Sequence, residues 1–152
     1  MKLSKKSEYG VRALVEIAMR SRNGEGWYQI AQIAEASQIP EKFLEQILLA
    51  LKNGGILKSR RGIEGGYSLN TSPEDIHMDQ IVRLLDGFSL NEEAKSAKED
   101  EKLDVSVRIY NQLVRKAHQA SLDILHKVSL NDLVEQVKKQ RVVAGESLEY
   151  QI

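Results

Sequence analysis

Residues 29 to 70 carry two short amphipathic helical patterns separated by a sharp turn, and this order constrains the fold more than any other feature. Apolar or small side chains recur at helical spacing, first at Ile30, Ile33, Ala34 and Ser37 and then at Leu44, Ile47, Leu48 and Leu51. Pro40 suits the first position of the second helix, and Gly54 and Gly55 suit its left-handed exit. The pattern predicts two helices that share one small core.

A glycine-rich connection follows the second helix. The segment 62–66, Gly-Ile-Glu-Gly-Gly, lies between two segments suited to short strands, Ile56–Arg61 and Tyr67–Leu69. Loops that cradle phosphate are also glycine-rich, but they run from a strand into a helix, whereas this connection returns into a strand. We therefore predict a hairpin wing, and with it a winged helix-turn-helix.

The flanking segments complete a compact unit of residues 1–87, mainly α with a small β wing. Helical periodicity predicts a first helix from about Lys5 to Arg20 and a short helix that ends at Gly87. The apolar positions that define these two helices are Val11, Leu14, Val15 and Ala18, and Met78, Ile81, Val82 and Leu85. Trp27 and Tyr28 suit a small strand that pairs with the wing, although they would also suit the wall of a pocket.

The second half of the chain begins with a polar stretch and continues with a long apolar stripe. Residues 91–104 alternate in charge, so we assign residues 88–104 to a solvated linker or a frayed helix start. From about Val105 to Val128 apolar side chains return in steps of three and four, at Ile109, Leu113, Ala117, Ala120, Ile124 and Val128.

A helix over this stripe would extend about 36 Å, which is longer than the first unit can cover alone. We expect it to pack against a second copy of the chain as a dimerisation helix, the alternative being that it folds back on its own domain. Ser129 and Asp132 then start a short helix. We take residues 105–137 as the dimerisation region and 138–152 as a C-terminal tail.

The sequence contains no pattern of a nucleotide-binding, hydrolase, zinc-protease or calcium site, so we predict that the chain is not an enzyme. It has no cysteine, which excludes disulfides and thiolate-bound metals, and we expect no cofactor. No apolar run exceeds the five residues of Ile47–Leu51, so we expect neither secretion nor membrane insertion and a cytoplasmic location.

The net charge is zero, but the charge is divided unevenly. Residues 1–72 hold 11 Lys and Arg against 7 Asp and Glu, giving +4, and residues 73–152 hold 11 against 15, giving −4. Counterion release depends on charges close to the phosphates. The positive half, which contains the winged-helix pattern, therefore suits a nucleic acid partner.

Several segments of the chain carry a family resemblance: Met1–Lys6, Tyr9–Leu14, Phe43–Gln46, Lys52–Ser59, Arg61-Gly62, Gly65–Tyr67 and, later, Ser129–Leu133. Together they resemble the Rrf2 family of bacterial repressors, and the last of them is similar to the element after the family's long dimerisation helix. Iron–sulfur members carry three cysteines in the region matching residues 91–104. This chain has none and so resembles the cluster-free branch, which includes a repressor of cysteine metabolism.

That branch implies a partner enzyme, O-acetylserine sulfhydrylase, whose active site accepts a peptide ending in isoleucine. The sequence given ends in Tyr150, Gln151 and Ile152. A free carboxylate and an apolar terminal side chain can imitate an amino-acid substrate in a pocket lined with donors. The resemblance therefore implies partner binding by these three residues.

The resemblance and the helical pattern together indicate which side chains contact DNA. The positions of the second helix outside the core are Glu41, Lys42, Glu45, Gln46 and Leu49. Gln46 can pair with adenine, and Lys42 can reach guanine or phosphate. Glu45 can accept from cytosine and repels phosphate elsewhere, which is the selective role that the family implies.

The remaining DNA contacts are expected on the wing and the first helix. Arg61, beside Gly62, matches the family's wing arginine that enters a narrow minor groove, with Arg60 assisting from the backbone. Phosphate contacts are expected from Ser4, Lys5, Lys6 and Tyr9.

These features favour a homodimeric repressor that binds an imperfect palindrome and is linked to cysteine metabolism. The alternative is a protein-interaction module that docks on a metabolic enzyme such as O-acetylserine sulfhydrylase without binding DNA. Its support is the acidic trio Glu41, Glu45 and Glu64.

Overall fold

The computed structural model describes residues 2–21, 25–87 and 90–145, with only the backbone described for residues 90–94. Seven α-helices, one short 3-10 helix (Pro73–Asp75) and one two-stranded antiparallel sheet are described within these ranges. They are α1 (Lys5–Arg20), α2 (Ile30–Ser37), α3 (Glu41–Asn53), β1 (Leu57–Arg60), β2 (Gly66–Leu69), α4 (Met78–Asp86), α5 (Leu90–Asp100), α6 (Val105–His126) and α7 (Leu130–Val143). The predicted class, mainly α with a small β wing, is confirmed.

The turn between α2 and α3 is sharp, as the sequence indicated. Gln38 takes the left-handed conformation, φ 55° and ψ 43°, and Ile39 N donates to Ala34 O over 3.1 Å. Pro40 caps α3 from the position before its first residue, because its backbone is extended (ψ 131°) and its carbonyl accepts from Phe43 N and Leu44 N. The placement of Pro40 at the first helical position was therefore wrong by one residue.

The exit of α3 uses only one of the two glycines as predicted. Gly55 is left-handed with φ 79°, whereas Gly54 has φ −81° and an ordinary backbone conformation. Ile56 N then donates to Leu51 O over 3.0 Å, which brings the chain directly into β1. α3 and the wing are thus joined by a short, hydrogen-bonded connection.

The wing is a two-stranded hairpin, and Tyr28 forms an isolated β-bridge beside it. β1 and β2 pair from Leu57 with Leu69 to Arg60 with Gly66, and the connection is Arg61–Gly65. Tyr28 pairs with Tyr67 through two backbone hydrogen bonds of 2.8 and 3.0 Å, which confirms the predicted pairing of this segment with the wing.

One core unites the winged helix with the last helix. Leu14, Leu44, Leu48 and Leu51 are fully buried, and Leu130 of α7 is equally buried in the same core. Backbone hydrogen bonds from Met78 N to Val128 O and from Leu130 N to Ile76 O fasten the start of α7 beside α4. Because α7 reaches Val143, it extends beyond the predicted end of this region at residue 137.

The stretch expected to be a linker or frayed helix start is the helix α5, which packs against α6. Asp100 at its end accepts a 2.8 Å hydrogen bond from Asn111 and pairs with Arg115. α6 has 22 residues, about 33 Å. It buries Leu122 near its C-terminal end, where it contacts α4, while most of its apolar stripe stays exposed.

Candidate nucleic-acid interface

The outer face of α3 carries polar side chains without partners in the described part of the chain. Lys42, Glu45 and Gln46 are exposed and make no hydrogen bond or ion pair there. The opposite face of the helix is buried through Leu44, Ile47, Leu48 and Leu51. Glu41 and Leu49 are exposed as predicted. Phe43, whose ring is 62% exposed on the same helix, was not predicted as part of this face.

Arg61 begins the tip of the wing. It is exposed and has no hydrogen bond or ion pair with the described residues. The tip itself is fixed, because Gln29 Nε2 donates to Ile63 O over 2.7 Å, and Gly62 turns the chain with φ 107°. A free guanidinium on a fixed tip is suited to enter a groove of negative potential.

Arg60 differs from its neighbour because it already has partners. Its guanidinium lies 4.5 Å from the centre of the Trp27 ring and donates to Glu64 O. Lys58 Nζ lies 5.6 Å from the same ring. Trp27 therefore supports two cations of the wing through cation–π contacts, a role that the sequence did not reveal.

The start of α1 is tied to the end of α4. Ser4 caps α1 by accepting from Ser7 N over 3.1 Å, and Asp86 accepts from Ser4 N, the Ser4 hydroxyl and Ser7 Oγ. Burial raises the pKa of Asp86, but the hydrogen bonds from Ser4 and Ser7 outweigh it and hold this pKa below its usual value. Ser4 thus has a structural role whether or not it touches DNA.

The other side chains of α1 that were predicted to contact phosphates differ in whether they already have a partner within the protein. Lys5 Nζ lies 2.6 Å from Glu8 Oε2, and this hydrogen bond and charge raise the pKa of Lys5. The Tyr9 ring lies near Lys5 and Arg12, at 5.9 and 5.5 Å. Lys6 is exposed and makes no hydrogen bond or ion pair with the described residues, so it is the most available cation of this group.

Arg12 is a second residue whose role was not predicted. Its guanidinium donates to Ser37 O over 2.5 Å and lies 3.5 Å from Gln38 O. It therefore fastens α1 to the turn that sets the angle between α2 and α3. Tyr150, Gln151 and Ile152, which were predicted to bind a partner enzyme, lie outside the described residues.

The sequence matches the model of the Rrf2 family, described as an iron-dependent transcriptional regulator, over residues 3–136. A putative HTH-type transcriptional regulator of Synechocystis sp., slr0846, is 31% identical over 99% of both chains. The HTH-type transcriptional regulator CymR of Bacillus subtilis is 33% identical over 88% of this chain and 89% of its own length.

Solved structures of transcriptional regulators are also similar to this chain. The structure titled T. potens IscR has a TM-score of 0.71 at 30% identity, covering 93% of this chain and 91% of that one. The structure of B. subtilis CymR, titled the global cysteine regulator, has a TM-score of 0.66 at 30% identity, covering 90% and 98%. These likenesses extend over both the wing and the long helix.

The side chains of this protein do not fit a thiolate-ligated iron–sulfur site. The sequence contains no cysteine, and within the described ranges no group of three or more His, Asp or Glu side chains is placed to hold a metal ion. Among the helices described, none is long and apolar enough to cross a membrane.

Proposed function

We propose that this chain, which belongs to the Rrf2 family of transcriptional regulators, is a sequence-specific DNA-binding repressor that acts as a homodimer. One observation carries the proposal: among the described residues, neither the polar face of α3 nor Arg61 on the hydrogen-bonded wing tip has a partner. The named relatives are regulators rather than enzymes, which agrees with a non-catalytic role.

In this proposal α3 enters the major groove and the wing enters the adjacent minor groove. Gln46 pairs with N6 and N7 of adenine, Lys42 reaches guanine or phosphate, and Glu45 excludes sequences that offer it no donor. Arg61 lies in the minor groove, Arg60 assists at the backbone, and Lys6 contributes to phosphate binding together with Ser4, Lys5 and Tyr9.

The proposed dimer places two such units on an imperfect palindrome. Its support is the exposed stripe of α6, where Ile109, Leu113 and Ile124 are 61%, 64% and 65% exposed. Covering these side chains with the same stripe of a second copy removes apolar area from water. Half-sites about 10 base pairs apart would then suit two recognition helices on one side of the duplex.

DNA binding can be tested on a duplex selected from a random-sequence pool by the wild-type protein. Arg61→Ala is expected to weaken binding about tenfold or more in fluorescence anisotropy, because the guanidinium and its minor-groove contacts are lost. Lys52→Ala is the control, since Lys52 is an exposed cation at the end of α3 for which we propose no DNA contact. Equal affinities for the two variants would contradict the site. A pool that shows no enrichment would instead favour the interaction module.

A finer part of the proposal links the protein to cysteine metabolism in the cytoplasm. Its support is the likeness to CymR, which the structure title describes as a global cysteine regulator. We extend the proposal to O-acetylserine sulfhydrylase as a partner of Tyr150, Gln151 and Ile152. Calorimetry with the purified enzyme should show that the full chain binds and that Ile152→Asp does not. Gln151→Ala is the comparison variant and should lose less affinity. Equal binding by the wild type and Ile152→Asp would contradict this partner site.

A further inference from the structure

A cavity of about 710 Å³ lies between α1, the end of α2 and α7. Its apolar wall is formed by Val11, Val15, Ala36, Leu133 and Val137. The volume falls within the range of sites for small molecules, about 300 to 1,000 Å³. No described residue of α3, of the wing or of α6 lines this cavity, so it is separate from the surfaces proposed above for DNA and for the second copy.

The polar side chains of the cavity give it a net positive charge. Arg12 and Arg141 contribute two positive charges and Glu16 one negative charge, which leaves +1. The Glu16 carboxylate is only 7% exposed and lies 2.6 Å from Arg141 NH2, so its charge is matched inside the wall. Arg12 is the more accessible guanidinium, with a side chain that is 39% exposed, and its charge is offset only in part by Glu8, whose Oε1 lies 3.6 Å from NH1 and outside the cavity lining.

The same Arg12 connects the cavity to the helix-turn-helix. It donates to the carbonyl of Ser37, and both Ser37 and Gln38 line the cavity. Gln38 is the residue whose left-handed backbone makes the turn from α2 into α3. An acid group that binds Arg12 would compete with the turn carbonyls for its donors, and would thereby loosen the support of the recognition helix.

We infer that this cavity binds a small amphipathic anion that lowers the affinity for DNA. The acid group of the ligand pairs with Arg12, and its aliphatic body packs against Val15, Leu133 and Val137. The effect on DNA rests on the proposed function, whereas the binding of the anion does not. Such a site makes the protein a direct sensor of a carboxylate metabolite or of a compound with similar chemistry.

Hexanoate is a suitable probe, with hexanamide as its uncharged counterpart of the same shape. In amide NMR spectra of the full chain, hexanoate at millimolar concentration should shift the signals of residues 36–38 and 136–140. Hexanamide should bind at least about fivefold more weakly, because it lacks the charge that pairs with Arg12. Arg12→Gln should remove this difference. Val137→Trp, which fills the cavity, should abolish both effects, and Lys139→Gln on the exposed side of α7 is the control.

Three results would overturn the inference. Equal binding of hexanoate and hexanamide would exclude an anion site. The absence of shifts at about 20 mM hexanoate would exclude the site itself. A change of oligomeric state in Val137→Trp, measured by sedimentation, would assign the cavity to a contact between copies.

The effect of the anion on DNA binding is measured separately. The affinity of the protein for the selected duplex is determined by fluorescence anisotropy with and without saturating hexanoate. We expect DNA affinity to fall about threefold or more. Unchanged affinity with hexanoate bound would contradict the regulation. Absence of any DNA binding would contradict the proposed function while leaving the NMR result intact, so the two failures are distinguishable.

Discussion

The outer face of α3 and the stripe of α6 are both exposed, but they differ in chemistry. The face of α3 presents Lys42, Glu45 and Gln46, which water solvates without cost. The stripe of α6 presents Ile109 and Leu113, each more than half exposed, and such contiguous apolar surface usually marks an interaction site. Exposure alone therefore does not identify a partner. The polar face suits a partner that offers hydrogen-bonding groups, such as base edges, and the apolar stripe suits another apolar surface.

The largest effect is expected from a charge placed in the apolar stripe. Leu113→Glu should weaken self-association about 100-fold or more, because a carboxylate would be buried without a partner between two helices. Sedimentation equilibrium measures this change. Lys116→Glu, on an exposed position of the same helix, should associate like the wild type. A Leu113→Glu protein that stays dimeric would show that the stripe is not the contact.

A smaller and more selective effect is expected on the polar face. Gln46→Ala should lose about 1 to 3 kcal/mol of discrimination at a single base pair, because the bidentate contact to adenine disappears. Binding to a set of duplexes that differ at one position measures it. A uniform loss across all positions would assign Gln46 to the phosphates instead.

Trp27→Ala should weaken DNA binding by about 1 kcal/mol, which is roughly a fivefold loss of affinity. The reason is that Arg60 and Lys58 would lose the ring that holds them beside the wing. Trp27→Phe keeps an aromatic face and should retain most of the affinity in the same anisotropy assay. Equal losses in the two variants would argue against cation–π support.

An effect of similar size, on stability rather than on DNA binding, concerns the junction of α1 and α4, which supports the surface proposed to bind DNA. Because the pKa of Asp86 is lowered in the folded protein, its carboxylate stabilises the fold above its unfolded pKa, and this stabilisation is lost as the pH falls below about 4. Asp86→Asn should cost about 1 kcal/mol in urea unfolding at pH 7 and less at pH 3. A cost independent of pH would mean that the carboxylate charge is not involved.

The elements that the sequence predicted are those whose signal is local. α1 was predicted from about Lys5 to Arg20 because its apolar period is regular, and the wing was predicted from the position of its glycines. α5 was less clear because a polar segment of alternating charge has no apolar face to reveal a helix. Its register depends on Asp100 meeting Asn111 and Arg115 of the next helix.

The candidate site was predicted only in part, for a related reason. Periodicity identified the outward positions of α3, but it cannot show contacts between segments that are distant in the chain. Arg12 meets Ser37 across 25 residues, and Trp27 meets Arg60 from the other side of the helix-turn-helix. The DNA contacts themselves stay predictions, because they involve a partner that the sequence does not contain.

The close approach of Gly66 to the backbone of Tyr28 limits how such a protein can diverge. A Cβ at Gly66 would lie 2.2 Å from the Tyr28 carbonyl oxygen, so any side chain there would separate the two segments. The inclination of the wing therefore depends on this glycine, and Gly62 at the tip has open space around it but a φ of 107° that disfavours a side chain. Descendants that acquire new binding sites are therefore expected to accumulate their substitutions at the other residues of the tip and on α3, and to leave both glycines intact.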